Sequence, residues 1–325
     1  MVQIPLRSAA FVLFVCVSQF APHASGQAYP SAAVRIVVPY PPGGGTDILS
    51  RSMAPKMSEA WSQPVIVENR GGANGNIGAA FVAKAPADGL TILVTPIGFA
   101  VNPSLYKDLP FDALRDFAPV SQLAENPSVL VVHPSLPLRS VKELIAFLKA
   151  HPDEINYASS GNGSTPHLAT ELFKLMTGTQ MVHVPYKAAT VAITDLTAGR
   201  VHLMADNIQS IGSHVKAGRL RGLAVTSAQR VPAFGDLPTI AESGVSGFDV
   251  SAWAGAIVPA GVPKSIVARL NAEINKALRS PTVQEKLPEL GLVVLGSTPQ
   301  EFAAHIKSET AKWADVVKRS GAKVD

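Results

Sequence analysis

Two glycine-rich segments combine hydroxyl side chains with backbone that can approach a ligand closely. The first, residues 40–47, reads Tyr-Pro-Pro-Gly-Gly-Gly-Thr-Asp, and the second, residues 159–167, reads Ser-Ser-Gly-Asn-Gly-Ser-Thr-Pro-His. Each follows a short apolar run and precedes apolar residues at helical spacing, so each is predicted to join a strand to a helix. The first N–H groups of a helix have no internal partner and lie at its positive dipole end, which favours anions.

The first segment opens the helix that Ile48, Leu49 and Met53 predict. Thr46 or Asp47 is suited to cap this helix, and the Thr46 hydroxyl is alternatively a donor to a bound anion. The segment is not a nucleotide P-loop, because the Lys-Ser/Thr pair that holds phosphate is missing. A plain tight turn into a helix is the alternative, since glycine-rich turns are common.

The second segment supplies hydroxyls and glycine amides with no acid close by. Thr165 followed by Pro166 is typical of the N-cap and first position of a helix. His167 as a catalytic base is an alternative, but no G-x-S-x-G elbow or paired acid accompanies it. Two such segments, one in each half of the chain, favour a carboxylate bound between facing lobes.

Two further polar positions follow predicted strands. The glycine cluster at residues 71–78 contains the spacing G-x-x-G-x-x-G without the expected later acid, so a nicotinamide cofactor is not expected. We expect its amides and Asn76 to line the same cleft, or else to turn the chain. Asp206 ends an apolar run, where it either accepts a hydrogen bond from a ligand ammonium or hydroxyl or forms an Asx-turn.

The elements that must position these residues can also be predicted from the sequence. Apolar residues recur at helical spacing between several Val- and Ile-rich runs, as at Val141, Leu144 and Leu148. Strands that alternate with helices predict an α/β architecture, with parallel sheets covered on both faces. The predicted strands are residues 34–39, 64–68, 90–95, 129–133, 155–159, 181–186, 201–206, 220–226 and 253–259.

No internal repeat or low-complexity linker marks a domain boundary. We place the crossings between lobes at residues 118–123 and 253–259, from the order of the elements. Lobe 1 is then residues 29–125 plus 251–325, and lobe 2 is residues 126–250.

The composition excludes several classes of function. The net charge is +4 and the cations are scattered, so a nucleic-acid partner is not expected. The single cysteine, Cys16, lies in an N-terminal apolar run, which leaves the rest of the chain without a disulfide framework or a cysteine nucleophile. His, Asp and Glu never fall in a spacing such as H-E-x-x-H, so no metal is expected.

The N-terminal residues indicate export. Arg7 precedes an apolar run at residues 9–17, and small residues follow at residues 24–28. This order is typical of a secretory signal peptide, here residues 1–28 with cleavage after Ala28. The run is too short to span a bilayer as a helix, and we expect an exported, soluble protein.

The chain resembles the substrate-binding proteins of tripartite tricarboxylate transporters, the Bug family of periplasmic receptors. One departure is Ala188, because a glycine commonly follows the Tyr-Lys pair in this family. The typical ligand of the family is therefore not assumed. The matching segments run in order along most of the chain and are residues 29–31, 38–47, 67–78, 88–91, 160–168, 184–187 and 206–207.

The resemblance implies a type II periplasmic binding protein fold, with two α/β lobes of mainly parallel sheets and a ligand cleft between them. It implies a periplasmic receptor without enzymatic activity or cofactor, which captures a small organic carboxylate by lobe closure. Its expected partners are the integral membrane permease subunits of a tripartite tricarboxylate-type transporter, and we expect a monomer. The alternatives are an exported hydrolase or transferase that uses His167, and a ligand sensor for a signalling partner. The candidate ligand-binding residues are Tyr40, Gly44, Gly45, Thr46, Asp47, Asn76, Ser159, Ser160, Gly161, Ser164, Thr165, His167 and Asp206.

Overall fold

The computed structural model describes residues 29–289 and 291–323. The predicted signal peptide at residues 1–28 lies outside these residues. Within them the chain forms ten strands and ten α-helices. The strands are β1 (Val34–Val38), β2 (Val65–Asn69), β3 (Thr91–Pro96), β4 (Phe117–Val132), β5 (Asn156–Ser159), β6 (Val182–Pro185), β7 (Leu203–Asn207), β8 (Arg221–Val225), β9 (Ser251–Pro259) and β10 (Val293–Val294). The helices are α1 (Gly45–Trp61), α2 (Asn76–Ala83), α3 (Gly98–Leu105), α4 (Val141–Ala150), α5 (Thr165–Thr177), α6 (Ala189–Thr197), α7 (Ile208–Lys216), α8 (Lys264–Leu278), α9 (Pro281–Glu289) and α10 (Pro299–Ser320).

The first half of the fold is built on β1. This strand pairs in parallel with β2 on one side and β3 on the other, and it is buried at every residue except Arg35. Such burial is expected of a parallel strand covered on both faces. Leu49 and Met53, one turn apart on α1, are buried in the same apolar cluster as Ile36.

The second half is built on β5, which pairs in parallel with β6 and β7. Tyr157 of β5 is fully buried and belongs to the same apolar cluster as Leu168 and Phe173 of α5. The amphipathic face predicted for this helix therefore packs on the strand that precedes it. In both halves a glycine-rich loop leads from the carboxyl end of the central strand to the next helix, from β1 to α1 and from β5 to α5.

Two long strands, β4 and β9, lie between the two halves in the strand order, and β4 pairs with strands of both. Residues 117–127 of β4 pair with β9, whereas residues 128–132 pair with β7 and β8, all antiparallel. Because β9 also pairs with β3, the strand order is β2-β1-β3-β9-β4-β7-β5-β6. Register shifts in β4 between Pro119 and Ser121 and between Gln122 and Ala124 mark bulges, which bend a strand.

The predicted strands are all present, and eight of the nine end within two residues of their predicted bounds. The exception is β4, which begins at Phe117 and not at residue 129. The antiparallel pairs all involve β4 or β9, so the sheet is parallel away from these two strands. No helix in residues 29–289 or 291–323 is long and apolar enough to cross a membrane.

The C-terminal helix α10 packs on both halves, against α3 and α5, and on the shared strand β4. Its buried Trp313 donates from Nε1 to Glu309 Oε2 at 2.9 Å. The same oxygen accepts from Trp253 Nε1 of β9 at 3.1 Å. One carboxylate oxygen therefore connects α10 to a strand that lies between the two halves.

Candidate ligand-binding site

A cavity of about 700 Å³ lies between the two halves, at the carboxyl ends of the parallel strands. Its volume falls in the usual range for small-molecule sites, about 300–1,000 Å³. Both glycine-rich segments contribute to its lining. Of the residues predicted from the sequence, the lining includes Tyr40, Gly44, Gly45, Thr46, Ser160, Ser164, Thr165 and Asp206. The others lie behind the lining and are Asp47, Asn76, Ser159, Gly161 and His167.

Five helices of the described chain begin at this cavity: α1, α3, α5, α6 and α7. In none of the five does the N-cap side chain accept a hydrogen bond from the first turn. Among the helices that begin elsewhere, α4 and α10 are capped by the side chains of Ser140 and Thr298, whereas α2 and α8 have no side-chain cap. The N–H groups that such caps normally satisfy are therefore available at the cavity wall.

The first glycine-rich segment is braced from behind by Asp47. Its Oδ2 accepts from the Gly43 N–H at 2.9 Å, and its Oδ1 accepts from Asn69 Nδ2 at 2.9 Å and from Arg51 Nε at 3.0 Å. Burial opposes the charge, but the hydrogen bonds from Arg51, Gly43 and Asn69 outweigh it and hold the pKa of Asp47 below its usual value. This carboxylate therefore fixes the loop that carries Gly44 and Gly45.

A chain of side-chain amides holds Tyr40 in place at the cavity wall. Its hydroxyl donates to the Asn74 carbonyl at 3.0 Å, and Asn74 Nδ2 donates to Asn102 Oδ1 at 2.8 Å. Asn102 Nδ2 in turn donates to Asn76 Oδ1 at 2.7 Å. Asn76 thus holds Asn102, which in turn holds Asn74 of the cavity lining. The side chain of Asn76 itself is buried behind the lining.

The second glycine-rich segment is held by its own polar groups. Ser159 Oγ accepts from the Gly161 N–H at 3.1 Å and lies 2.7 Å from His183 Nε2. Ser164 Oγ donates to the Gly161 carbonyl at 2.6 Å, and the Gly163 N–H donates to His167 Nδ1 at 3.0 Å. Gly161 has a φ of +113°, which favours glycine at this turn.

His167 and His183 stack beneath this segment, with ring centroids 4.1 Å apart and nearly parallel planes. Because Nδ1 of His167 accepts a backbone N–H, that nitrogen carries no proton in this arrangement. Burial lowers the pKa of His167, and burial with the neighbouring His167 and Lys174 lowers the pKa of His183 to about 3. The neutral pair supports the loop, and His167 lies outside the cavity lining.

The charge at the cavity wall is negative. The described part of the lining holds Asp206 and Glu125 but no Lys, Arg or His. Burial raises the pKa of Asp206 to about 6, although the Asn207 N–H lowers it. Burial, followed by the charge of Asp249, raises the pKa of Glu125 as well. Attraction for an anion must therefore come from backbone N–H groups and helix dipoles.

Several lining residues were not predicted from the sequence. Glu125 and Asn126 lie on the undetected first part of β4, Trp253 lies on β9, and Trp313 arrives from α10. Gln209 lines the wall from the first turn of α7. The apolar run that ends at Asp206 is the sequence signal for this side of the cavity. Nothing local to the sequence places Trp253 or Trp313 there.

In residues 29–289 and 291–323, no group of three or more His, Cys, Asp or Glu residues is placed to hold a metal ion.

Two α/β halves joined by the strands between them, with a cleft at the ends of the parallel strands, define a periplasmic binding protein of the two-lobed type. The family model described as "Tripartite tricarboxylate transporter family receptor" matches residues 49–322. The chain therefore belongs to this family of solute-binding receptors. The predicted family and fold class are confirmed, as is the prediction of a receptor that is not an enzyme.

The chain is similar to proteins along nearly its full length. It is 38% identical over 318 residues to protein BugT of Bordetella pertussis, covering 97% of this chain and 98% of BugT. It shares 41% identity and a TM-score of 0.76 with an R. palustris protein solved with adipate, covering 91% of this chain and 100% of that one. MatC from Rhodopseudomonas palustris with bound malate has 31% identity and a TM-score of 0.72, covering 89% of this chain and 100% of MatC.

Proposed function

We propose that this receptor captures a small organic carboxylate in the cavity, and that uncapped helix N-termini hold the carboxylate. The observation that carries the proposal is that five helices without a side-chain N-cap begin at the cavity, whose described lining holds no Lys, Arg or His. A bound carboxylate would take the place of the missing caps. It would accept from N–H groups of the first turn, as Ser, Thr or Asp side chains do at ordinary N-caps.

We assign binding of the carboxylate to the amides and hydroxyls of the two glycine-rich segments. Gly45 and Thr46 would serve from the first turn of α1, and Ser160, Ser164 and Thr165 from the loop and first residue that open α5. Each helix dipole contributes about 0.3–1 kcal/mol to an anion at its end, and hydrogen bonds to a charged acceptor are stronger than neutral ones. Asp47, Ser159 and His167 would act on the ligand only through the loops that they hold.

Two relatives support a carboxylate as the ligand class. The R. palustris protein was solved with adipate and MatC with malate, and both are aligned over about nine tenths of this chain. A ligand that spans the cavity would contact both halves and so stabilise a closed arrangement of the two. We take residues 29–125 plus 251–325 as one lobe and residues 126–250 as the other, with strands β4 and β9 between them.

The test of capture is calorimetric titration with a panel of mono-, di- and tricarboxylates and amino acids, together with their amides as matched neutral controls. We expect at least one acid to bind and its amide not to bind. Trp253 and Trp313 lie in the cavity lining, so their fluorescence gives a second readout. If the amides bound as tightly as the acids, recognition of the ligand's carboxylate by the receptor would be contradicted.

We further propose that the receptor is exported by a signal peptide cleaved after Ala28 and delivers its ligand to membrane subunits of a tripartite transporter. The mass of the protein recovered from the periplasm tests the cleavage. Uptake of a labelled acid by cells that contain the membrane subunits should depend on this receptor. Equal uptake by cells with and without the receptor would contradict delivery.

A further inference from the structure

Asp206 presents an acceptor atom that the described chain leaves without a partner. It is 2% exposed and belongs to the cavity lining. Its Oδ1 accepts from the Asn207 N–H at 2.8 Å, whereas its Oδ2 has no hydrogen-bond partner. Buried acceptors without a partner are rare in folded proteins, because each loses the water that solvated it.

The described part of the cavity lining holds no cation to offset the charge of Asp206. Glu125 is the other charged group in the described lining, and it too is an acid. Asn126 Oδ1 is a second buried oxygen in the lining, and it too has no hydrogen-bond partner among the described residues. The wall near β4 therefore offers acceptors, while the helix N-termini offer donors. A ligand that matches both must carry an acceptor at one end and a donor at the other.

We propose that Asp206 Oδ2 accepts a hydrogen bond from a donor on the ligand, remote from the carboxylate held by the helix N-termini. This inference rests on the proposed function and narrows its ligand class. The ligand is a carboxylate that carries a hydroxyl, an ammonium or a protonated second carboxyl group. The raised pKa of Asp206, about 6, is consistent with a buried carboxylate that lacks such a donor.

The three donors differ in their proton balance. A hydroxyl or an ammonium already carries its hydrogen at neutral pH, so binding at about pH 8 takes up no proton. A dicarboxylate must take up one proton from water. In the complex this proton lies between its second carboxyl group and Asp206. Its affinity should accordingly fall about tenfold for each pH unit above about 7. The two classes are therefore separable by pH alone.

The test is calorimetric titration with acids matched in chain length. The six-carbon set is hexanoate, ω-hydroxyhexanoate, ω-aminohexanoate and adipate, and a four-carbon set is built in the same way on butanoate. We expect a donor-bearing member of at least one set to bind about 10- to 100-fold more tightly than its methyl-ended counterpart, since hydrogen bonds to charged groups are worth that much. In Asp206→Ala and Asp206→Asn variants this preference should shrink to about threefold or less.

Glu125→Gln is the matched control, because it removes the other acid of the lining and leaves Asp206 in place. We expect this variant to keep the donor preference. Loss of the preference in Glu125→Gln to the same extent would assign it to overall negative charge and overturn the role of Asp206. Equal binding of methyl-ended and donor-bearing acids would also overturn it, while leaving carboxylate capture intact. Absence of binding by every acid of both sets would contradict the proposed function and this inference together.

Discussion

Gly44 is the position where an internal cap can compete with the ligand. It is the N-cap of α1, with φ −77° and ψ 167°, the extended conformation that N-cap residues adopt. A Cβ placed there would meet only the Pro41 carbonyl oxygen, at 3.9 Å. Gly44→Asp therefore fits the backbone and places a permanent carboxylate where the ligand's carboxylate is proposed to bind.

The expected effects on stability and on affinity differ in size. Replacing an N-cap Gly by Asp changes helix stability by only a few tenths of a kcal/mol, and the added charge interacts with the dipole by about 0.3–1 kcal/mol. Two carboxylates about 4 Å apart repel by about 4 kcal/mol at an effective dielectric constant of about 20. The free energy of unfolding should thus change by less than about 1 kcal/mol, while affinity falls by at least about 100-fold.

Calorimetry with the tightest acid of the panel measures the affinity, and urea unfolding without ligand measures the stability. Gly44→Asn is the matched control, because it caps the helix without adding charge, and it should weaken binding by about tenfold or less. An affinity in Gly44→Asp within about threefold of the unsubstituted protein would refute the placement of the carboxylate at α1.

Three further predictions concern the framework of the site. Asp47→Asn should lower the free energy of unfolding by about 1–3 kcal/mol in urea denaturation, because a charged acceptor of three part-buried hydrogen bonds is lost; a change under about 0.5 kcal/mol would contradict its bracing role. Gly255→Ala would place a Cβ 1.9 Å from the Phe302 ring and should cost about 1–3 kcal/mol, a loss that Phe302→Leu in the same chain should partly reverse; simple additivity of the two changes would argue against this contact. The pKa values of His167 and His183 are lowered in the folded state, so the unfolded chain binds protons that the folded one does not. Stability should therefore fall as the pH drops from about 6.5 toward about 3, and His183→Gln should flatten that part of the unfolding curve; an unchanged slope would contradict it.

Local sequence signals were sufficient for the parallel strands and for the helices that follow them. Runs such as residues 34–39 are apolar because a parallel strand is buried on both faces, so the pattern is visible without knowledge of the fold. The beginning of β4 has no such pattern. Pro119 and Pro127 argue against a strand, and polar residues such as Gln122 interrupt it. Pairing with β9, more than 100 residues later in the chain, makes it a strand.

The candidate site likewise contains residues that local sequence signals place and residues that only the tertiary fold places. Gly44, Thr46 and Thr165 could be placed at the cavity, because a strand-to-helix loop always presents its first amides at the carboxyl end of the sheet. The direction of a short polar side chain is decided by its neighbours. Asp47 turns toward Arg51, one helical turn away, and toward Asn69, which only the folded chain brings within reach.

A crystal structure of the receptor with the carboxylate that it binds most tightly tests the central claim most directly. We expect the carboxylate oxygens within about 3.2 Å of backbone N–H groups in the first turn of α1 or α5, with no basic side chain in contact. A carboxylate bound to Lys, Arg or His side chains, or located away from these helix N-termini, would contradict the account.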